Sequence, residues 1–260
     1  MSEDIYLESR GAVAELVLNR PAKRNAITSA MWLDIPRLLQ SAAEDPEVKL
    51  LIVRGAGGSF AAGADIAEFE AVYATRERAE AYTRSIGMAL DSLAAFPKPT
   101  LARIEGACVG GGCGVALSCD LRFAATGSRF AITPAKLGLT YTLNDTKRLI
   151  DAVGVSFAKD ILYSGRMLDA EEAFRIGLIN RLVDPETLPQ AVEEYAQGLS
   201  ATSAYSARTS KKIISMIRAG VDADTDETRQ MFLDAFQGED FQEGYRAFLD
   251  KRSPRFPGQS

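Results

Sequence analysis

Between Arg103 and Asp120 the chain reads R-I-E-G-A-C-V-G-G-G-C-G-V-A-L-S-C-D. An apolar strand, Thr100 to Ile104, runs straight into glycines at 106, 110, 111 and 112, and a small-residue helix follows from near Gly112. Glycines at such a junction let the backbone turn sharply and let another chain or molecule approach it closely. The first turn of a helix leaves peptide N–H groups without intrahelical partners, at the end where the helix dipole is positive. A strand–glycine–helix unit of this kind suits an anion or a developing oxyanion. A tight turn with close helix packing would account for the same glycines.

A second unit has the same build. Gly55 to Ile66 reads G-A-G-G-S-F-A-A-G-A-D-I, after the apolar strand Leu50 to Val53 and before a polar helix. Two such units can aim two peptide N–H groups at one point. Three words carry a likeness to a known family: N-R-P-A-K-R-N-A-I at 19–27, F-A-A-G-A-D-I at 60–66 and G-A-C-V-G-G-G-C at 106–113. Two more, A-x-R-I-G-L-I-N at 173–180 and F-x-E-G-x-x-A-F-L-x-K-R at 241–252, stand in the same order and spacing. Together they resemble the crotonase superfamily, the enoyl-CoA hydratase/isomerase family, over nearly the whole chain.

Other functions lose support. The net charge of −5 argues against nucleic acid as the main partner, because neutralising phosphates needs a Lys/Arg excess. The acidic N-terminus lacks an apolar signal core, and the uncharged run Gly106 to Cys119 is too short and Gly-rich to span a bilayer. The chain has no histidine, and Cys108, Cys113 and Cys119 form no C-x-x-C pair, so a metal centre and a His-based triad are not expected. Three scattered thiols fit packing groups in a reducing cytoplasm. No P-loop, dinucleotide fingerprint or G-x-S-x-G word occurs.

Along the chain, Ile5 to Leu7 and Val13 to Leu18 read as a hairpin turning at Arg10-Gly11. Thr28 is an N-cap candidate for a helix to about Ala43, which Pro36 should kink or restart. Lys49 to Arg54 is a strand. Asp65 to Ala95 is mostly helical with a break near Ala74-Thr75, and its charged part, Arg76 to Arg84, reads as a solvated face. Asp120 to Ala125 and Arg129 to Ile132 read as strands. Asn144 to Val153, Ser156 to Tyr163 and Asp169 to Ile176 read as separate short helices, with Gly177 as a C-cap. Leu178 to Val183 reads as a strand, and everything after Pro185 as helix. Alternating strands and helices followed by helices alone mean α/β layers with a helical tail. The resemblance implies a crotonase (ClpP-like) spiral of β-β-α units over residues 1–199 and a C-terminal helical region over 200–260 that packs a homotrimer or a dimer of trimers. No internal repeat displays the spiral directly.

The resemblance also implies a chemistry. Members hold an acyl-CoA thioester with its carbonyl oxygen between two peptide N–H groups, which by position are those of Ala64 and Gly111. Coenzyme A is then part of the substrate, with no tightly bound cofactor. Ala62, Ala64, Asp65 and Ile66 lie on its path, Lys23 and Arg24 match the adenine/phosphate end, and Phe248 and Lys251 match positions reaching the nucleotide from a neighbouring subunit. For each cation, a solvated surface charge is the alternative. The family's hydratases use two glutamates; here Gly114 and Pro134 stand in their places. The isomerases' aspartate position is Thr142. The loop T-P-A-K-L-G-L-T-Y-T-L-N-D at 133–145 resembles that of methylmalonyl-CoA decarboxylases, which carry a tyrosine where this chain has Tyr141. A tyrosine, with its pKa about 10, is a donor and a poor base at neutral pH. Asp65, Glu68, Asn144 and Asp145 remain as acid/base or orienting groups, Asp145 foremost, with helix capping as its alternative role. The expectation is an acyl-CoA enzyme working through a stabilised enolate. Its rivals are a decarboxylase of a short malonyl-type CoA ester and an acyl-CoA-binding protein without turnover.

Overall fold

The structure, a computed structural model, describes residues 3–256. In chain order it contains β1 (Ile5–Arg10), β2 (Val13–Leu18), α1 (Ser29–Glu44), β3 (Leu50–Gly55), α2 (Phe69–Val72), α3 (Arg76–Ala94), β4 (Thr100–Ile104), β5 (Ala107–Val109) and α4 (Gly111–Ser118). Then come β6 (Leu121–Ala125), β7 (Arg129–Ala131), α5 (Leu143–Ser164), β8 (Leu168–Asp169), α6 (Ala170–Arg175), β9 (Arg181–Val183) and α7 (Leu188–Ser200). The helices α8 (Ala204–Arg218), α9 (Asp226–Gln237) and α10 (Glu239–Leu249) complete the described chain. Among the described residues no helix is long and apolar enough to cross a membrane.

The main sheet has six strands in the order β1-β2-β3-β4-β6-β9. β1 and β2 are the expected antiparallel hairpin, with Ile5 opposite Leu18, and every later pairing is parallel. Parallel strands covered on both faces read as continuous apolar runs, as Leu50 to Val53 does. Its alternate side chains separate into two cores. Leu51 and Val53 face the large core with Trp32, Ile35 and Leu93. Leu50 and Ile52 face a smaller one with Leu101 and Phe123, closed by Leu188, Val192 and Ala196 of α7 at helical spacing. Fully burying side chains such as Leu188 stabilises by about 1.5–3 kcal/mol each.

A second, narrow ladder runs beside this sheet. β5 pairs with β7, and β7 with β8. Single bridges extend it: Ala61 pairs with Cys108, and Ile27 with Ala64. Four successive passes of the chain therefore have one plan: a main-sheet strand, a short segment in the second ladder, then a helix. These are β2 with Ile27 and α1, β3 with 61–64 and α2–α3, β4 with β5 and α4, and β6 with β7 and α5. This is the β-β-α spiral. The second-ladder segments are one to three residues long, too short for any period-two pattern, so the repeat is invisible in the sequence.

Some local expectations need correction. Pro36 sits inside α1 without interrupting it. The hydrogen bond it removes costs about 3 kcal/mol in an isolated helix; here Trp32, Ile35 and Leu39 are buried on both sides of it and keep the helix in register. The separation expected between the helices over 144–163 does occur: α5 is two helices joined across a kink at Gly154, where φ is 74° and ψ 167°. The strand expected from Leu178 begins only at Arg181. Leu178 and Ile179 are instead buried in the preceding turn, and the Asn180 side chain accepts the Arg122 N–H at 2.8 Å. Thr28 caps α1 as expected, accepting the Met31 N–H at 3.3 Å.

Asn25 ties the first pass to the second. It is fully buried at φ 55°. Its Oδ1 accepts the Arg20 N–H at 2.8 Å, and its Nδ2 donates to the carbonyls of Ala56 at 2.8 Å and Ser59 at 2.6 Å. Asn25→Ala strands three half-buried peptide groups and puts a Cβ residue without a local hydrogen-bonding side chain in the left-handed region. The expected destabilisation is about 3–5 kcal/mol, read as a lowered urea midpoint with an unchanged m-value.

Candidate active site

The site is made by two backbones lying in contact. Residues 60–64 run between the 24–27 segment and β5, held by Ala61 N–H to the Ala107 carbonyl at 2.8 Å, Ala62 N–H to Arg24 at 2.9 Å and Val109 N–H to Ala61 at 2.9 Å. Gly112 explains how close they come. A Cβ there would overlap the Ala61 carbonyl oxygen and stand 2.9 Å from Ala61 Cβ. Gly110, at φ 53° and ψ −115°, makes the turn into α4, a conformation for which glycine is suited.

This contact aims two N–H groups at one space. The Gly63 carbonyl accepts the Ile27 N–H at 2.8 Å and the Asp65 N–H donates to the Ile27 carbonyl at 2.9 Å. Peptides alternate in direction along an extended strand, so the Ala64 N–H between them points the other way, toward α4. Gly111 is the first residue of that helix, and its N–H is one of the orphan donors. A Cβ on Gly111 would stand 3.5 Å from the Ala64 nitrogen and 3.1 Å from Cζ2 of Trp32. Among the described residues neither N–H has a protein acceptor.

Both peptides open onto a cavity of about 200 Å³. Ala62, Ala64, Ile66, Gly111, Tyr141 and Asp145 line it, as do Gly114, Pro134 and Thr142. Lys23 and Arg24 sit outside, exposed, on the turn whose Arg24 carbonyl holds Ala62. Phe248 and Lys251 are also exposed and do not line this cavity. A groove of about 740 Å³ among α8, α9 and α10 holds none of the expected site residues.

The acid/base candidates are mostly engaged elsewhere. Asp65 pairs with Arg20 at 2.8 Å, and that contact holds its carboxyl below the usual carboxylate range. Glu68 accepts both the N–H and the hydroxyl of Ser29 at 2.7 Å, which satisfies the first turn of α1. Asn144 faces Asp91 at 3.3 Å. Asp145 does reach the cavity, but its two oxygens accept from Thr142 Oγ1 at 2.7 Å and Arg148 Nη1 at 3.0 Å. The cap of α5 is Thr142, which accepts the Asp145 N–H at 3.2 Å; Asp145 does not cap. Tyr141 lines the cavity, with its hydroxyl donating to the Gly110 carbonyl at 3.0 Å. Burial pushes that phenol well above its ordinary pKa, so it stays a neutral donor.

Several wall residues escaped the sequence reading. Trp32 lies under Gly111, and Leu90 fills the space beside Gly114, whose added Cβ would stand 3.2 Å from Leu90 Cδ1. Tyr73 and Tyr82 meet edge to face at 5.7 Å and also line the cavity. The charges of Arg76 to Arg84 are exposed as expected, yet Tyr82 is buried among them. The signal was there in Tyr82, Ile86 and Leu90, an i, i+4, i+8 stripe that the charged residues outnumbered.

The spiral, the paired glycine turns and the opposed peptide donors define one class of protein. The sequence model of the enoyl-CoA hydratase/isomerase family matches residues 8–259, and the chain belongs to that family. Among its relatives, the crotonyl-CoA hydratase of Syntrophomonas wolfei is 36% identical over 260 residues, 98% of each chain. The short-chain-enoyl-CoA hydratase of Clostridium acetobutylicum is 32% identical, over 96% of this chain and 95% of its own. The crystal structure of an enoyl-CoA hydratase/isomerase family protein from Hyphomonas neptunium superposes with a TM-score of 0.95 at 47% identity, covering 97% of both chains.

Two glycines on α4 should respond in opposite ways. Gly112→Ala drives a methyl into the Ala61 backbone, which cannot yield without moving the site; destabilisation of about 3 kcal/mol is expected, with loss of acyl-CoA binding. Gly114→Ala meets only a rotatable leucine methyl and gains helix propensity, so its stability should stay within about 1 kcal/mol of wild type. Thermal denaturation of the two variants side by side checks the contrast.

Proposed function

We propose that the protein binds an acyl-CoA thioester with its carbonyl oxygen between the N–H groups of Ala64 and Gly111 and stabilises the enolate formed there. The observation that carries this is the convergence of two unpaired peptide donors on one cavity. Enolisation moves charge onto that oxygen, and preorganised donors favour the charged state over the neutral one. Coenzyme A enters as part of the substrate, past Ala62 and Ile66, with Lys23 and Arg24 at the rim for its phosphates.

Loss of a carboxylate from a short malonyl-type ester is the reaction these residues suit better than hydration. Hydration needs a free carboxylate to position and deprotonate water. Leu90 fills the space beside Gly114, Pro134 has no titratable group, and both oxygens of Asp145 are engaged. Decarboxylation needs no base. The bond from Cα to the carboxyl carbon breaks, its electron pair enters the enolate, carbon dioxide leaves, and a proton from water reaches Cα. An apolar wall such as Leu90 and Ile86 favours the step, because it disfavours the charged carboxylate more than the spread charge that follows.

A second copy of the chain completes this reading. The helices α8 to α10 expose Phe232 at 71% and Phe248 at 82%, and a trimer that buries this face would bring Phe248 and Lys251 toward a neighbour's nucleotide. Residues 1–199 then form the spiral that holds the acyl group, and 200–260 the assembly region.

Calorimetry with acetyl-CoA or a longer acyl-CoA should give micromolar binding, roughly −8 kcal/mol; no heat at millimolar ligand would remove the basis of the reading. Turnover of methylmalonyl-CoA or malonyl-CoA should exceed hydration of crotonyl-CoA, which should lie orders of magnitude below a competent hydratase, since each lost acid/base group is worth about 10²–10⁴-fold. Fast crotonyl-CoA hydration would overturn the preference for decarboxylation. Light scattering should report a trimer or a multiple of it; a clean monomer of 28.1 kDa would refute the shared site.

A further inference from the structure

The hydroxyl of Tyr141 touches one end of a peptide whose other end faces the cavity. It donates to the carbonyl oxygen of Gly110 at 3.0 Å. That carbonyl belongs to the Gly110–Gly111 peptide, and the N–H of the same peptide is the Gly111 donor. The same carbonyl also accepts the Gly114 N–H at 3.1 Å, the first hydrogen bond of α4, and the preceding Val109–Gly110 peptide is anchored by its own N–H, which donates to the Ala131 carbonyl at 2.8 Å.

From this geometry we infer that Tyr141 is a positioning residue that acts through the Gly110–Gly111 peptide, fixing its plane and polarising its N–H toward the thioester oxygen. A hydrogen bond to a peptide carbonyl draws electron density toward that oxygen and leaves the N–H at the other end more positive. Chains of hydrogen bonds strengthen one another in this way by roughly 10–30% per bond in a low-dielectric interior. Tyr141 is half-buried, and desolvation of its hydroxyl raises its pKa, so it stays protonated as a donor to the carbonyl near neutral pH. With its proton committed to the Gly110 carbonyl, the hydroxyl acts on the peptide and not as the acid that protonates an enolate.

The inference rests on the oxyanion reading of Ala64 and Gly111, and one experiment separates the two. Butyryl-CoA carrying ¹³C at the thioester carbonyl is bound to wild type and to Tyr141→Phe, and the carbonyl stretch is read by infrared difference spectroscopy. The substitution leaves no buried acceptor unpaired, because the Gly110 carbonyl keeps the Gly114 N–H, so the variant should fold; circular dichroism checks this. In wild type the stretch should move down from its value in water. In the variant the downshift should shrink by on the order of 10–30%. With methylmalonyl-CoA or crotonyl-CoA, whichever wild type converts faster, kcat should fall about two- to tenfold with KM little changed, short of the hundredfold that follows loss of a whole donor. No downshift in wild type would sink the oxyanion reading itself. A wild-type downshift that the variant keeps in full would overturn this inference alone. So would a fall in kcat of about a hundredfold or more, the size expected if Tyr141 transferred a proton to the substrate.

Discussion

The structure depends on one contact made without side chains: the backbone of residues 58–64 lying against that of 106–112. Glycines at 106 and 112 make it possible. A Cβ at Gly106 would overlap the Gly58 carbonyl oxygen, and one at Gly112 would overlap that of Ala61. Nothing larger than hydrogen fits at either point. The contact fixes the second ladder of the spiral, because Ala61 pairs with Cys108 across it. It fixes the site as well, since Ala64 and Gly111 lie on its two sides. Fold and donor geometry are consequences of the same packing.

Placing the donors on peptides separates them from the reaction-specific groups. The N–H of Ala64 keeps its direction because its neighbours are bonded to Ile27, and that of Gly111 because it begins a helix whose far end is held by Arg122. The Arg122 side chain, buried, donates to the Cys119 carbonyl at 2.9 Å and to Leu178 at 2.7 Å, a cation where the helix dipole is negative. None of these interactions involves position 114 or 134. Neither position carries a carboxylate here, and the directions of the two N–H groups do not depend on one.

What could be read in the sequence follows from the same division. Both turns and the α4 junction were legible from the glycine runs beside apolar strands at Gly55–Ile66 and Arg103–Asp120, whereas the cavity-facing positions 62, 64 and 111 came only from the family resemblance. The main-sheet strands were legible as apolar runs. The second ladder was not, because Ile27 and Ala64 pair as single residues and carry no period. Which oxygens and hydroxyls are free was not legible either. Asp65, Glu68, Asp145 and Tyr141 could each be named as polar groups near the site, and what occupies them is partners 3 to 45 residues away in sequence: Arg20, Ser29, Arg148 and Gly110.

Leu90 shows why position 114 can change while the helix that carries it stays in place. A Cβ at 114 points at a leucine methyl of α3, whereas one at 112 points at the backbone of Ala61. The first can be accommodated by rotating a side chain, and the second only by moving the chain. On one short helix, then, the residue two places before 114 is fixed by the fold and residue 114 itself is free. Across the cavity the 133–142 loop is less free, because Tyr141 bonds to the Gly110 carbonyl and so to the peptide that carries the Gly111 N–H. Side chains of α3 can therefore reshape the space beside Gly114 while both N–H groups stay in place, and Leu90 already closes that space with an apolar wall.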